Sequence, residues 1–329
     1  MTFFYIIVAL VLIFDFINGF HDSANSIACV VSTKVLSPFA AVSMAAFFNF
    51  IAFLVFHLKV ASTIGKGIVE PDVINMNVIG AALVAAITWN LLTWWWGLPS
   101  SSSHTLVGGL IGAAIASSGF ESVISGGVIK IVAFIFIAPI LGFVFSFFLS
   151  SLIMWIFRKV PPFSVDVWFR RLQILSASAF SLGHGGNDAQ KSMGIIWVAM
   201  IISGLVSKDA SAPPLWVVMS CYTSIAFGTL FGGWRIVKTM GQRITKLKPF
   251  EGFCSETAGS ITLFAATHWG IPVSTTHTIT GAIMGVGARK GASAVKWGVT
   301  TKIFWAWILT IPVSGSISAL MYLFFNGIN

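Results

Sequence analysis

The sequence predicts an all-α membrane protein: a polytopic helical bundle with two inverted repeats, broken transmembrane helices and re-entrant half-helices. Only 9% of the 329 residues are charged and 57% are hydrophobic, whereas about a quarter of the residues in a soluble domain carry a charge. The mean hydropathy is +0.92. Long apolar runs recur along the chain, and two polar motifs each occur twice.

The apolar runs are long enough to cross a bilayer as helices, which need about 20 residues each. The longest runs cover residues 3–17, 38–58, 78–96, 128–157, 214–231 and 303–325. Weaker runs rich in Gly and Ser lie between them, so we expect roughly eight to eleven membrane segments, some too short to cross alone. The runs lack the period-two alternation of barrel strands. The first run is expected to be retained as a helix, because neither a basic region nor a cleavage site marks a signal peptide.

The cysteines and the basic residues indicate neither a disulfide framework nor a nucleic-acid partner. Cys29, Cys221 and Cys254 are scattered in apolar surroundings and are expected to be small buried side chains. The net charge is +9, and the basic residues cluster in two connections, 158–171 and 235–248. Connections rich in Lys and Arg tend to stay on the cytoplasmic side. We therefore expect the lipid bilayer, and no nucleic acid, as the partner of this charge.

An acidic motif occurs once in each half of the chain. Residues 18–26 read NGFHDSANS and residues 184–192 read HGGNDAQKS, which aligns Asp22 with Asp188. An ionisable group at membrane depth is costly, so it normally faces a cavity or a partner and marks an ion pathway. The neighbouring glycines are expected to unwind both helices and to free carbonyl oxygens for a cation, either sodium or a proton. The alternative in the second half is a buried ion pair between Asp188 and Lys191.

A second motif also recurs: residues 97–105 read GLPSSSSHT and residues 270–278 read GIPVSTTHT. Both halves have the two motifs in the same order, which predicts a duplication. The first transmembrane repeat would cover residues 1–157, a short basic link residues 158–171, and the second transmembrane repeat residues 172–329. Such repeats are typical of secondary transporters, and inversion of the second copy is an expectation that duplication alone does not establish.

Each copy of the second motif predicts the start of a helix near Ser102 and near Thr275. The Gly-x-Pro segment ends the preceding helix, and Ser or Thr caps the next one. The first amides of a helix have no intrahelical partner, and the helix dipole adds positive charge, so each start is an anion site. About ten small residues follow, roughly 15 Å of helix and half a bilayer. Capped interfacial loops are the alternative, but two copies in matching positions favour half-helices.

Together the four motifs resemble those of the inorganic phosphate transporter (PiT) family, and shorter phrases such as residues 47–50, FFNF, resemble its bacterial low-affinity branch. The resemblance spans nearly the whole chain. It implies an integral protein of the prokaryotic inner (plasma) membrane, and not an enzyme. Such a protein would move phosphate, free or as a metal complex, by symport with sodium or protons and alternating access between its repeats. No cofactor is implied beyond the coupling ion.

We expect phosphate to be held by side chains from both halves: Asn25, Ser102, Ser103, Thr105, Asn187, Lys191, Thr275, Thr276 and Thr278. The coupling cation is expected at Asp22, Asp188 and Glu256, with no metal beyond a sodium ion at Asp22 and Asp188. A polar structural role is an equal alternative for Glu256 and also for Asp15. A symporter or channel for sulfate or another tetrahedral oxyanion is the alternative function, and a homo-oligomer is compatible with the sequence.

Overall fold

The computed structural model describes residues 2–207 and 212–328, apart from the side chains of residues 62, 64–66 and 328. In this part of the chain, twelve α-helices follow one another: α1 Thr2–Ser32, α2 Pro38–Ile51, α3 Lys59–Lys66, α4 Met76–Trp96, α5 Ser102–Ser118, α6 Ser125–Ile156, α7 Pro162–Ile202, α8 Leu215–Phe231, α9 Trp234–Lys238, α10 Pro249–His268, α11 Thr275–Lys290 and α12 Trp297–Ile328. The predicted all-helical bundle is confirmed.

Four described helices, α1, α4, α6 and α12, are long and apolar enough to cross a membrane. A fifth span is the pair α8 and Trp234–Arg243, which bends by 61° at a short break. The expected eight to eleven segments exceed this number because the other long helices are less hydrophobic. α7 and α10 carry many buried polar side chains that face protein rather than lipid, which lowers their apolar character.

The predicted helix starts are confirmed. α5 begins at Ser102 and α11 begins at Thr275, one residue after the serines that cap them. The Ser101 hydroxyl accepts a hydrogen bond from the His104 amide, and the Ser274 hydroxyl accepts one from the His277 amide. The preceding breaks also match, because Gly97 and Gly270 have φ angles of 66° and 68°, which favour glycine.

The two sequence halves exchange helices in a reciprocal pattern. α5 of the first half packs along α12 of the second, and α11 of the second half packs along α6 of the first. Glycine permits both contacts. A Cβ atom at Gly108 would overlap the Ile311 carbonyl, and one at Gly281 would overlap the Pro139 carbonyl. The core is therefore shared between the two halves.

The helices that carry the acidic motif, α1 and α7, run antiparallel. Ser192 donates a hydrogen bond to Asp15, and Thr33 donates one of 2.9 Å to Gln173. In the direction in which residue numbers increase along α1, they therefore decrease along α7. The two helices that carry the same motif therefore cross the interior in opposite directions.

The expectation that glycines unwind these two helices is wrong. α1 and α7 remain continuous through Asp22 and Asp188. The glycines serve close packing instead: a Cβ atom at Gly19 would overlap the Ile225 carbonyl, and one at Gly186 would overlap the Phe56 ring. Because the backbone stays helical, its carbonyl oxygens are engaged within the helix and the side chains must supply the ligands.

Most of the predicted basic link is helical. α6 ends at Ile156 and α7 already begins at Pro162. Within this segment Arg170 forms an exposed ion pair of 2.9 Å with Asp166, and it also donates a hydrogen bond to the Lys34 carbonyl. The link therefore holds the end of α1 against the start of α7. The three cysteines are buried and unpaired, as predicted.

The close α5–α12 contact predicts that Gly112→Ala destabilises the protein. A Cβ atom at Gly112 would overlap the Gly315 backbone, and overpacking of an interior contact costs about 1–3 kcal/mol. We expect a lower thermal unfolding midpoint in detergent. Gly298→Ala is the matched control, because a Cβ atom there meets open space. Equal midpoints for both variants and the parent protein would contradict the packing argument.

Candidate functional site

Four elements meet in the protein interior: the middles of α1 and α7, and the N-terminal tips of α5 and α11. The two tips touch each other, since the ring centroids of His104 and His277 lie 4.7 Å apart. The His277 ring stacks on Trp307 of α12 at 4.0 Å. The half-helices therefore converge on one place rather than ending at opposite surfaces.

On α1, Asp22 is almost fully buried and bonded on both carboxylate oxygens. Its Oδ1 lies 2.7 Å from His21 Nδ1, and its Oδ2 accepts a hydrogen bond of 3.1 Å from the Ser102 hydroxyl at the α5 tip. His21 Nε2 lies 3.2 Å from the Thr93 hydroxyl of α4. These contacts fix the carboxylate against the start of α5.

On α7, Asp188 lies among one cation, one histidine and one hydroxyl. Lys191 Nζ donates a hydrogen bond to Asp188 Oδ1, so the ion pair considered as the alternative in the sequence analysis is present. His184 Nε2 is 3.3 Å from Asp188 Oδ2. The Thr275 hydroxyl donates a hydrogen bond of 3.3 Å to the same oxygen. Asp188 thus contacts the α11 tip as Asp22 contacts the α5 tip.

Two side chains link the halves across the centre. Asn25 of α1 donates its amide N–H groups to the Thr275 and Thr276 hydroxyls, at 3.3 and 2.9 Å. Lys191 of α7 donates to the Ser103 hydroxyl and to the Val273 carbonyl. The aligned residues Asn25 and Lys191 therefore each reach the tip that belongs to the other half.

The centre has the donors for a cation. One ligand atom from each of Asp22, His184 and Asp188 lies within 4.8 Å of the other two, and all three residues are buried. Carboxylate and hydroxyl oxygens are hard ligands that suit sodium. The sequence reasoning missed His184, although its spacing of four residues before Asp188 places both side chains on one face of α7.

Three of the predicted phosphate ligands point elsewhere. The Thr105 and Thr278 hydroxyls donate hydrogen bonds to the Ser102 and Ser274 carbonyls, so they order the first turns of α5 and α11. The Asn187 amide donates to the Thr267 hydroxyl at 3.0 Å and to the Ile271 carbonyl. These groups surround the two tips rather than facing the shared centre.

Glu256 belongs to a separate cluster. It accepts a hydrogen bond of 2.6 Å from the Ser176 hydroxyl and one of 3.5 Å from Gln173. Ser176 precedes Asp188 by about three turns of α7, roughly 18 Å along the helix. The structure thus does not bring Glu256 together with the two aspartates.

The sequence profile of the phosphate transporter family matches residues 18–318. The chain belongs to the phosphate transporter family. A probable low-affinity inorganic phosphate transporter of Rhizobium meliloti is 57% identical over 96% of this chain and 94% of its own length. One of Bacillus subtilis is 44% identical over 98% of this chain and 96% of its own.

A solved structure described as the sodium-dependent phosphate transporter superposes on the whole chain with a TM-score of 0.91 and 27% identity, and the match also covers all of that chain. These relatives are transporters and not enzymes, as the sequence predicts. The phosphate transporter family and its bacterial members identify the chain as an integral protein of the plasma membrane. The resemblance drawn from the four motifs is confirmed.

The buried Asp188–Lys191 pair predicts a stability effect that depends on both partners. Lys191→Met removes the cationic partner of the buried Asp188 carboxylate, and breaking a buried ion pair costs about 3–5 kcal/mol. The double variant Asp188→Asn with Lys191→Met removes both charges and should recover most of this loss. Thermal unfolding midpoints in detergent measure the effect. A double variant less stable than Lys191→Met alone would contradict the pairing.

Proposed function

We propose that this chain is a cation-coupled secondary symporter that moves inorganic phosphate across the membrane by alternating access. The observation that carries the proposal is the meeting of two capped helix N-termini beside two buried carboxylates. The helix N-termini form a site for an anion, and the carboxylates form a site for a cation. A single cavity that holds both ions has a lower net charge, so its passage through the low-dielectric interior costs less.

Phosphate would lie between the tips of α5 and α11. Unpaired backbone N–H groups and the helix dipoles face this position. The Ser102, Ser103, Thr275 and Thr276 hydroxyls surround it, and Asn25 and Lys191 reach the same hydroxyls. Lys191 would exchange its contact with Ser103 for a phosphate oxygen, because an ammonium binds a dianion more strongly than a hydroxyl. Thr105, Thr278 and Asn187 would support the tips.

The coupling cation would bind between Asp22 and Asp188. The description of the similar solved structure as sodium-dependent favours sodium over a proton. The pairing of Asp188 with Lys191 also supports coupling: when phosphate attracts Lys191, Asp188 loses its cation and can take up another. Glu256, which lies away from this centre, would hold a second cation or a proton together with Ser176.

Alternating access would come from two inverted repeats, residues 1–157 and 172–329, with the basic link between them. The antiparallel course of α1 and α7 supports the inversion.

Two matching sets of hydrogen bonds, one on each side of the centre, would act as the gates that close the site to either side of the membrane. Arg235 and Thr239 donate hydrogen bonds to the Trp95 and Gly97 carbonyls at the end of α4.

Lys59 and Thr63 donate equivalent bonds to the His268 and Gly270 carbonyls at the end of α10, at 3.1 and 2.9 Å. α3 packs on α7 beyond Asp188, where the Val60 amide donates to Gln190. The segment after α9 packs on α1 beyond Asp22, where Gly241 lies against Ala28. Because α1 and α7 are antiparallel, the two contacts lie on opposite sides of the centre.

We expect Asp22→Asn to abolish coupled phosphate uptake without unfolding the protein. The amide keeps the shape of the side chain but removes the negative charge that a cation requires. Uptake of labelled phosphate into proteoliposomes, with sodium and pH gradients imposed separately, measures the effect and identifies the ion. Asp166→Asn is the control, since Asp166 is exposed and far along α7.

Uptake by Asp22→Asn with the ion dependence of the parent protein would contradict the proposed function. The same vesicles separate the alternatives. Competition by sulfate as strong as that by unlabelled phosphate would favour a general oxyanion symporter. Conductance without any gradient-driven accumulation would favour a channel.

A further inference from the structure

A cavity lies outside the central site, between the start of α3 and the end of α10. Its volume is about 290 Å³. Phe56, His57 and Lys59 line one side, and Phe264, Thr267 and His268 line the other. None of the described residues that line it is acidic.

The polar end of the cavity suits an oxyanion. His57, Lys59 and His268 are all exposed there. Lys59 Nζ donates a hydrogen bond of 3.1 Å to the His268 carbonyl, which keeps its positive charge at the cavity mouth. An ammonium and imidazole N–H groups are donors that recognise phosphate oxygens.

The inner end of the cavity is joined to α7, next to Asp188, by one hydrogen bond. The buried Thr267 hydroxyl accepts a bond of 3.0 Å from Asn187, the residue before Asp188. The side-chain oxygen of Asn187, Oδ1, is buried and has no hydrogen-bond partner among the described residues. A polar path of Thr267 and Asn187 therefore connects the cavity with α7.

Two aromatic rings of the cavity lining cover α7. Phe56 packs edge to face on Phe264 with the ring centroids 5.2 Å apart. The Phe56 ring also covers Gly186, and the Phe264 ring covers Gly183, where in each case a Cβ atom would be in close contact. Rotation of these two side chains would open the way to α7 without moving its backbone.

At the corresponding position in the first half, large aromatic side chains occupy the space. Trp94 and Trp95 stand where the second half has Thr267 and His268, and Arg235 stands where it has Lys59. The Arg235 guanidinium lies over both indole rings, 5.4 and 4.4 Å from their centroids. Tryptophan rings therefore cover the end of α4, whereas the end of α10 borders a cavity.

We propose that this cavity is the entry vestibule, where a tetrahedral oxyanion binds to Lys59, His57 and His268 before it passes the Phe56–Phe264 pair. The proposal rests on the proposed transport of phosphate. With the basic segments 158–171 and 235–248 on the cytoplasmic side, the vestibule opens on the outer side. The occupant is free phosphate. A phospholipid headgroup has the same chemistry, and the experiment separates the two.

The first arm measures uptake in vesicles of phosphatidylcholine. Lys59→Gln should raise the half-saturating phosphate concentration about three- to tenfold, the effect of losing one charge contact near the surface. Lys59→Arg should restore the parent value. Lys302→Gln, at an exposed position on α12, is the matched control. Parent-like half-saturation in Lys59→Gln would overturn the proposal.

The second arm detects occupancy without transport. His57→Cys introduces an exposed thiol, while Cys29, Cys221 and Cys254 are buried. Phosphate should slow its labelling by a membrane-impermeant thiol reagent from the outside several-fold, also when combined with Asp22→Asn. An unchanged labelling rate in the presence of phosphate would overturn the proposal. So would a labelling rate that falls in vesicles rich in phosphatidylglycerol but does not respond to phosphate. If the parent protein took up no phosphate, the proposed function would fail, and labelling would still decide on the vestibule.

Discussion

The contact between the tips of α5 and α11 is the interaction on which the rest of the structure depends. Two helix N-termini bring partial positive charge into a buried volume, and such charge is costly there unless anions balance it. Asp22 and Asp188 supply that balance, each through a hydroxyl of one tip. Each carboxylate in turn has hydroxyl and histidine partners, and Asp188 has Lys191 as well.

This arrangement requires the halves to be intertwined. Each tip lies in a helix that packs mainly on a helix of the other half, through glycines that let backbones touch. Asn25 and Lys191 cross in the same way. A movement of one half relative to the other therefore changes the central contacts directly, which is the coupling that alternating access needs.

Much of the fold and part of the site could be predicted from the sequence, because capping is a local property. Pro99 and Pro272 with their serines and threonines mark the starts of α5 and α11 within the motif itself. The glycines near Asp22 and Asp188 could not be interpreted in this way. A glycine either unwinds a helix or admits a neighbour, and the neighbours, Ile225 and Phe56, are distant in the sequence. Glu256 likewise has its partners on α7. Its separation from the aspartates could therefore not be predicted from the residues next to it in the sequence.

The most direct test of the central claim is an experimental structure determined with sodium and arsenate, a tetrahedral oxyanion that an anomalous signal can locate. We expect one arsenate between the tips of α5 and α11, in contact with Ser103, Thr276 and Lys191, and a cation at Asp22 and Asp188. Arsenate bound elsewhere at saturating concentration, with the two tips still joined by their direct contacts, would contradict it.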